Sequence, residues 1–143
     1  MKYAYEIVTR RVKDPDFPYH GQTLNSPAAA VGFVQSLTDL DREQVLILFL
    51  NAKNRLIGIT KYSGVIDQVY IAPRDIVKTA LLTGATGVVM CHNHPSGDPA
   101  PSLEDKAVTD RTLECLKLFD IHLLDHCIVT DSGYFSMKEH CFF

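Results

Sequence analysis

Apolar residues along this chain fall into short runs separated by helical patterns, which predicts a mixed α/β fold. The continuous apolar run Val45–Leu50 is too short for a typical helix, so it indicates a central strand that is buried on both faces. Shorter or alternating patterns predict further strands. They cover the first ten or so residues, 56–62, 65–71, 88–91, 121–129 and 134–137.

Three helices are predicted between these strands, at about 26–37, 73–84 and 102–119. The first two have a proline at or next to their start, where its missing N–H group carries no penalty. The third begins at Ser102, and Asp105 follows at the spacing of a capping box. The irregular alternation of strands and helices favours a mixed β-sheet flanked by helices, an α/β sandwich.

Length and composition indicate one globular domain. We expect a single domain over 1–143, in which 1–25 form an N-terminal strand and a loop leading into it. Hydrophobic residues make up 46% of the chain and charged residues 22%, which argues against disorder. The net charge of −3 does not support direct nucleic-acid binding through a broad basic surface.

The chain shows no pattern of a secreted or membrane protein. Its first residues lack the apolar run of a signal peptide, and no stretch is long enough to span a membrane, so we expect a cytoplasmic protein. The four cysteines have no spacing of the zinc-knuckle or redox type, and we expect them to be small buried apolar side chains.

Two histidines one residue apart, His92 and His94, follow the predicted strand at 88–91. Residues two apart in an extended segment point to the same side, so both imidazoles can approach one ion while Asn93 points away. Asp105 offers a carboxylate from the next helix. Three ligands of mixed nitrogen and oxygen type are typical of a catalytic zinc site, which leaves the fourth position open for water.

Taken singly, these residues have simpler interpretations. Ser102 is explained by helix capping alone, and Asp105 by a favourable charge in the first helical turn. Their combined spacing is more specific: His-x-His, seven residues, Ser, two residues, Asp. This pattern matches the JAMM motif of the MPN, or JAB, metalloprotease superfamily. The string His92–Gly97, with Pro101 before Ser102, resembles the RadC-like branch in particular.

The resemblance covers about 43–135 and implies an MPN/JAB fold, a cytidine-deaminase-like α/β/α sandwich. It implies that His92, His94 and Asp105 hold one zinc ion, with a bound water as the fourth ligand. Glu43 matches the glutamate that acts as acid and base in JAMM enzymes, and Ser102 matches the residue that stabilises the oxyanion. The implied activity is zinc-dependent cleavage of a peptide or isopeptide bond in a peptide or protein substrate.

Several residues compete for these roles or remain unassigned. The carboxylates that compete with Glu43 are Glu6, Asp41 and Asp67. Glu104 diverges from Asp105 by about 100° around the helix, which predicts a surface position. The remaining histidines are His20 and His140, expected to be exposed, and His122 and His126, for which a buried or ligand-supporting role stays open.

Other zinc or nuclease families fit less well. In HNH nucleases the three letters are dispersed, so the adjacent His-Asn-His here is coincidental. Zinc deaminases require His-x-Glu and Pro-Cys-x-x-Cys, and neither is present. A structural zinc site is the third alternative, against which the open fourth position argues.

The alternative function is that of a RadC-like, DNA-repair-associated accessory protein that uses the domain as a binding module. Larger members of that group carry an N-terminal helix-hairpin-helix type region. This chain resembles the short stand-alone form, so a DNA link is expected through a partner or a local patch. Oligomeric state is left open.

Overall fold

In the computed structural model, residues 22–63 and 71–143 are described, together with Ala4 and Glu6. The strands predicted over the first ten residues and over 65–71 therefore fall largely outside the described part. The elements in chain order are α1 (Pro27–Phe33), a 3₁₀ turn (Gln35–Asp39), β1 (Gln44–Leu50), β2 (Leu56–Ser63), α2 (Pro73–Thr83), β3 (Gly87–Asn93), α3 (Leu103–Lys117), β4 (His122–Thr130) and β5 (Gly133–Ser136).

The strands form one mixed sheet in the order β2-β1-β3-β4-β5. β3 and β4 are parallel and connected by α3, whereas the other neighbouring strands are antiparallel. β1 is antiparallel to β3, and Val45 near its start pairs with His92 near the end of β3. One edge of the sheet therefore brings together the start of β1, the end of β3 and the beginning of α3.

Both faces of the sheet are covered. One core lies under α2 and α3, and it includes Ile47, Phe49, Ile76, Met90 and Leu116. The other lies under α1, and it includes Ala30, Val34, Leu46, Leu48 and Cys91. Successive residues of β1 alternate between these cores, since side chains in a strand point to opposite faces. The predicted α/β/α sandwich and the two-sided burial of β1 are confirmed.

The helix ends follow local capping chemistry. Ser26 caps α1 by accepting a hydrogen bond from the Ala29 N–H at 3.1 Å. The α-helix ends at Phe33, earlier than predicted, because the chain tightens into the 3₁₀ turn. Gly84 follows α2 as its C-cap, and its φ of 70° is a left-handed conformation that glycine adopts without steric cost. None of the helices described here is long and apolar enough to cross a bilayer.

All four cysteines are free. Cys91 and Cys127 are buried, as expected, and Cys115 is partly buried. The expectation of burial is wrong for Cys141, which is exposed because it lies in the terminal turn beyond β5 rather than in an element that packs on the sheet.

Candidate metal centre

His92, His94 and Asp105 converge at the edge where β3 ends and α3 begins. His92 Nε2 lies 3.3 Å from Asp105 Oδ1, and His94 Nε2 lies 3.3 Å from Asp105 Oδ2. The two Nε2 atoms are 2.9 Å apart. His92 and Asp105 are buried and His94 is partly buried. These three residues form a group that can hold a metal ion.

The chemistry of the donor set fits a cation. His94 Nδ1 lies 2.8 Å from the carbonyl oxygen of Asp98, which can only accept, so Nδ1 carries a proton and Nε2 presents a lone pair when the ring is neutral. The two Nε2 atoms and the Asp105 carboxylate lie so close together that a proton or a metal ion is needed between them to avoid repulsion. Tetrahedral ligands about 2.0–2.1 Å from zinc lie about 3.3 Å apart, close to the two Asp105 distances, whereas the two Nε2 atoms at 2.9 Å would have to separate slightly.

Asp105 is held in place by the start of α3. Its Oδ2 accepts from the Ser102 N–H at 2.8 Å, and Ser102 Oγ accepts from the Asp105 N–H at 3.0 Å. This confirms the predicted capping box. The helix dipole also favours an anion at this position. Asp105 is therefore a cap residue whose carboxylate is also held in a fixed position beside His92 and His94.

The cluster shifts the acidity of its own members. Burial alone would raise the pKa of the Asp105 carboxyl, but its close contacts with the rings of His92 and His94 outweigh burial and hold that pKa well below its ordinary range. The hydrogen bond to Asp105 raises the pKa of His94 above its usual 6.5, and the charge of Glu43 adds to this. Without a metal, the site therefore favours a carboxylate beside a protonated histidine, an arrangement in which a metal ion can replace the proton.

Glu43 stands at the entrance of β1, directly before Gln44, and is partly buried. The Gln44 N–H donates to Asn93 Oδ1, so Glu43 directly precedes the point where β1 meets the end of β3. The charge of Glu43 adds to the raised pKa of His94, after larger contributions from Asp105 and the Asp98 carbonyl.

Asn93 fixes the backbone on both sides of Glu43. Its Oδ1 accepts from the Gln44 N–H at 2.7 Å, and its Nδ2 donates to the Arg42 carbonyl at 3.0 Å. As predicted, Asn93 points away from the ligand cluster, but sequence reasoning missed this contact. The signal in the sequence is a polar residue at the end of an apolar run, since such a residue needs hydrogen-bond partners when the strand is buried.

The other carboxylates are less well placed. Glu6 and Asp41 are exposed, and neither is among the groups that shift the pKa of His94. Asp67 lies outside the described residues. Glu104 is exposed, as predicted.

Two of the described histidines outside the cluster lie on the surface. His122 is exposed on β4. His140 is exposed as predicted, although its ring stacks on Phe135 at a centroid distance of 3.9 Å. His20 lies outside the described residues.

Ser102 lies on the exposed side of the centre. Its Oγ is used as an acceptor in the capping box, which leaves the hydroxyl proton able to donate. The Ser102 hydroxyl therefore lies next to Asp105, and its proton is not used by the capping box.

The sequence leaves the role of His126 open. In the structure His126 is completely buried and contacts His92. Its Nε2 lies 2.7 Å from His92 Nδ1. Burial, followed by the nearby His92, lowers the pKa of His126 well below 6.5, so the ring is neutral. A histidine inside an otherwise largely apolar strand is the feature that could have indicated a partner at this position.

A small cavity of about 60 Å³ lies against His94. Its lining residues are Thr38, Leu40, Asn93, His94, Pro95, Val129, Thr130 and Asp131. A larger apolar cavity of about 520 Å³ lies between α2 and the C-terminal half of α3, at the end of α3 away from Asp105. Of the three cluster residues, only His94 lines the small cavity.

The chain is similar to proteins of one family over most of its length. The family profile described as "RadC-like JAB domain" matches residues 24–142. The UPF0758 protein YeeS of Escherichia coli (strain K12) is 36% identical over 141 residues, which cover 98% of this chain and 93% of that protein.

The UPF0758 protein YfjY of the same organism is 36% identical over 142 residues, covering 98% of this chain and 86% of its own length. A UPF0758 protein of Thermotoga maritima is 39% identical over 119 residues, 82% of this chain. The match spans only 54% of the Thermotoga protein, about half its length.

Proposed function

Because the chain belongs to the RadC-like JAB domain family, and because three potential metal ligands meet at the end of β3, we propose that it is a zinc-dependent hydrolase of the JAMM type. The proposed reaction is cleavage of a peptide or isopeptide bond. The observation that carries the proposal is the convergence of His92 Nε2, His94 Nε2 and the Asp105 carboxylate within 3.3 Å of one another.

In this proposal, His92, His94 and Asp105 hold the zinc ion. Zinc bound by such ligands lowers the pKa of water to about 7 and polarises a carbonyl group, which supplies a nucleophile and an electrophile at neutral pH. The chain then has to provide proton transfer and to stabilise the charge that develops on the attacked carbonyl oxygen.

Glu43 is proposed to accept the proton of the attacking water and to deliver it to the departing amine nitrogen. Its charge reaches His94, and Asn93 holds the backbone on both sides of it. General acid–base catalysis of this kind contributes about 10²–10⁴-fold. The Ser102 hydroxyl is proposed to donate to the oxyanion, where removing one donor in another hydrolase costs about 3 kcal/mol.

The cavity beside His94 supports an extended substrate. Its volume of about 60 Å³ is well below the 300–1,000 Å³ or so of pockets that enclose a small molecule. A peptide or protein chain that lies across the sheet edge and places one amide at the cluster suits this geometry better than an engulfed metabolite.

Metal content tests the ligand set. The purified protein should contain about one zinc per chain, and His92→Ala and Asp105→Ala should lose it. His122→Ala is the matched control, because this histidine is exposed and lies outside the cluster. Equal zinc content in the wild type and all three variants would remove the ligand assignment.

Glu43→Gln tests the acid–base role. This variant should keep its zinc and lose about 10²-fold or more in hydrolysis, whereas the control Glu104→Gln changes an exposed carboxylate and should keep both. Full activity of Glu43→Gln would exclude the proposed role.

Ser102→Gly separates capping from oxyanion stabilisation, because glycine at an N-cap costs only about a few tenths of a kcal/mol and offers no side-chain donor. It should retain stability and lose activity, whereas equal activity would leave Ser102 with capping alone.

A screen of peptide and isopeptide substrates beside a DNA panel compares the proposal with the alternative, a DNA-linked binding module. Zinc-dependent cleavage of an amide would support the hydrolase. Zinc-independent DNA binding without hydrolysis would favour the binding module, which the net charge of −3 does not support.

A further inference from the structure

The ring of His92 is engaged on both sides. Its Nε2 faces His94 and Asp105, and its Nδ1 lies 2.7 Å from His126 Nε2. The other nitrogen of His126, Nδ1, lies 2.6 Å from the Thr109 hydroxyl. That hydroxyl also lies 2.7 Å from the backbone carbonyl of Asp105. A buried chain of contacts therefore leads from α3 through β4 to the ligand cluster.

Proton donors and acceptors fix the direction of this chain. A backbone carbonyl can only accept, so the Thr109 hydroxyl donates its one proton to Asp105. The Thr109 oxygen must then accept from His126, which places the His126 proton on Nδ1. The unprotonated His126 Nε2 accepts from His92 Nδ1–H. In the neutral His92 ring, Nε2 is then left without a proton, and its lone pair faces the cluster.

We propose that Thr109 and His126 are positioning residues that hold His92 in the Nδ1–H tautomer and so keep its Nε2 available as a ligand. The tautomer follows from the hydrogen bonds alone, whereas its use in holding zinc rests on the proposed function. A ligating histidine generally donates its second ring N–H to a carboxylate, a carbonyl or water. Here a neutral imidazole takes that place, which orients His92 without adding negative charge.

A rigid frame keeps His126 in this position. The Asp125 carboxylate accepts from the His126 N–H at 2.7 Å, from the Ser136 hydroxyl at 2.6 Å and from the Lys138 N–H at 3.1 Å. The Met137 N–H donates to the His126 carbonyl at 3.0 Å. β4 and the segment after β5 are thus tied together around His126, so its ring has little freedom to move away from His92.

Removing the Thr109 hydroxyl should change which nitrogen of His92 carries the proton. In Thr109→Val, His126 Nδ1–H has lost its acceptor in a fully buried position, which favours a shift of that proton to Nε2. His126 Nε2–H and His92 Nδ1–H would then face each other across 2.7 Å. Moving the His92 proton to Nε2 relieves this conflict, and it blocks the ligand position.

Thr112→Val is the matched control. Thr112 lies on α3 and is as deeply buried as Thr109, and its hydroxyl donates to the Val108 carbonyl at 2.7 Å in the same local bond. Thr109→Ser is the conservative variant, since serine keeps the hydroxyl. Effects of helix packing should appear in both valine variants, and effects of the proton chain only in Thr109→Val.

The first measurement is made on the metal-free protein, by ¹⁵N NMR of the histidine rings at pH 7.5. In the wild type, Thr109→Ser and Thr112→Val, both His92 and His126 should show the Nδ1–H tautomer. In Thr109→Val, His92 should shift toward Nε2–H. An Nε2–H tautomer of His92 in the wild type, or the same tautomers in both valine variants, would overturn the proposal.

The second measurement is the zinc dissociation constant of the same proteins by chelator competition. Thr109→Val should bind zinc about 10–100-fold more weakly, whereas Thr112→Val and Thr109→Ser should stay close to the wild type. Equal affinities of the two valine variants would overturn the positioning role even if the tautomers shift. If the wild type binds no zinc, the proposed function is refuted instead. The tautomers measured in the metal-free protein would still show whether Thr109 and His126 set the position of the His92 proton.

Discussion

Replacing Asn93 by alanine tests whether the end of β3 holds Glu43 in place. The change removes two hydrogen bonds, one from the Gln44 N–H at 2.7 Å and one to the Arg42 carbonyl at 3.0 Å. Both involve backbone that flanks Glu43. The loss therefore frees the entrance of β1 and leaves the metal ligands themselves untouched.

The magnitude follows from these two bonds. A typical intramolecular hydrogen bond contributes about 0.5–1.5 kcal/mol net, so losing both should lower the free energy of unfolding by about 1–3 kcal/mol. Arg42 is exposed and its carbonyl can be hydrated in the variant, which keeps the expected loss within this range. Because Glu43 is no longer fixed, kcat should fall about tenfold or more, while zinc content stays the same.

Urea unfolding measures the stability change, and hydrolysis per folded, zinc-loaded molecule measures the change in activity. Asn51→Ala is the matched control, since Asn51 Oδ1 also accepts two backbone hydrogen bonds, from Lys53 at 2.9 Å and Arg55 at 3.0 Å. Asn51 follows β1 at the opposite end of the strand from Glu43. This variant should lose stability and keep its specific activity.

Two results would refute the reasoning. An unchanged urea midpoint in Asn93→Ala would mean that the two hydrogen bonds contribute nothing to the folded state. A loss of stability in Asn93→Ala without a loss of specific activity, as in Asn51→Ala, would mean that the catalytic position of Glu43 does not depend on Asn93.

Two further predictions concern stability. In the metal-free protein, burial holds the pKa of His126 below 6.5, so stability falls as the pH drops below about 6.5. The hydrogen bond to Asp105 raises the pKa of His94 above 6.5, so the stability from this contact begins to fall above pH 6.5 and is lost as the pH rises through the raised pKa. Thermal unfolding in a chelator should therefore show a maximum near pH 6.5, and a steady rise of Tm from pH 6 to 8 would contradict the two shifts. Gly84→Ala should lose about 1–2 kcal/mol because φ is 70°, whereas Gly32→Ala, inside α1 with no atom within 4 Å of the added carbon, should gain up to about 1 kcal/mol. Urea unfolding checks both, and equal effects would refute the conformational argument.

The part of the site that could be predicted is the part encoded locally. His92 and His94 lie two residues apart on one strand end, and Asp105 is placed by a capping box that Ser102 completes within three residues. Strand alternation and helix capping act over a few residues, so the sequence predicts them directly. The same locality explains why the starts of α1, α2 and α3 were predicted well.

Residues that meet through the sheet could not be assigned in this way. Asn93 and Arg42 are 51 residues apart, and His92 and His126 are 34 apart. Their contacts depend on which strands become neighbours and in which register. The sequence leaves the role of His126 open, and it predicts only that Asn93 points away from the two imidazole rings.

The sequence by itself determined the sandwich, the buried β1, the His-x-His and Asp105 ligand pattern and the family, because periodicity, capping and motif spacing are local properties of the chain. Only the tertiary structure decided that Asn93 bonds to the backbone on both sides of Glu43, and that Thr109, His126 and His92 form one buried chain of contacts. The physical reason is that burial of the two cores sets the strand order and register. That packing then brings distant polar groups to one edge, where each must find a hydrogen-bond partner.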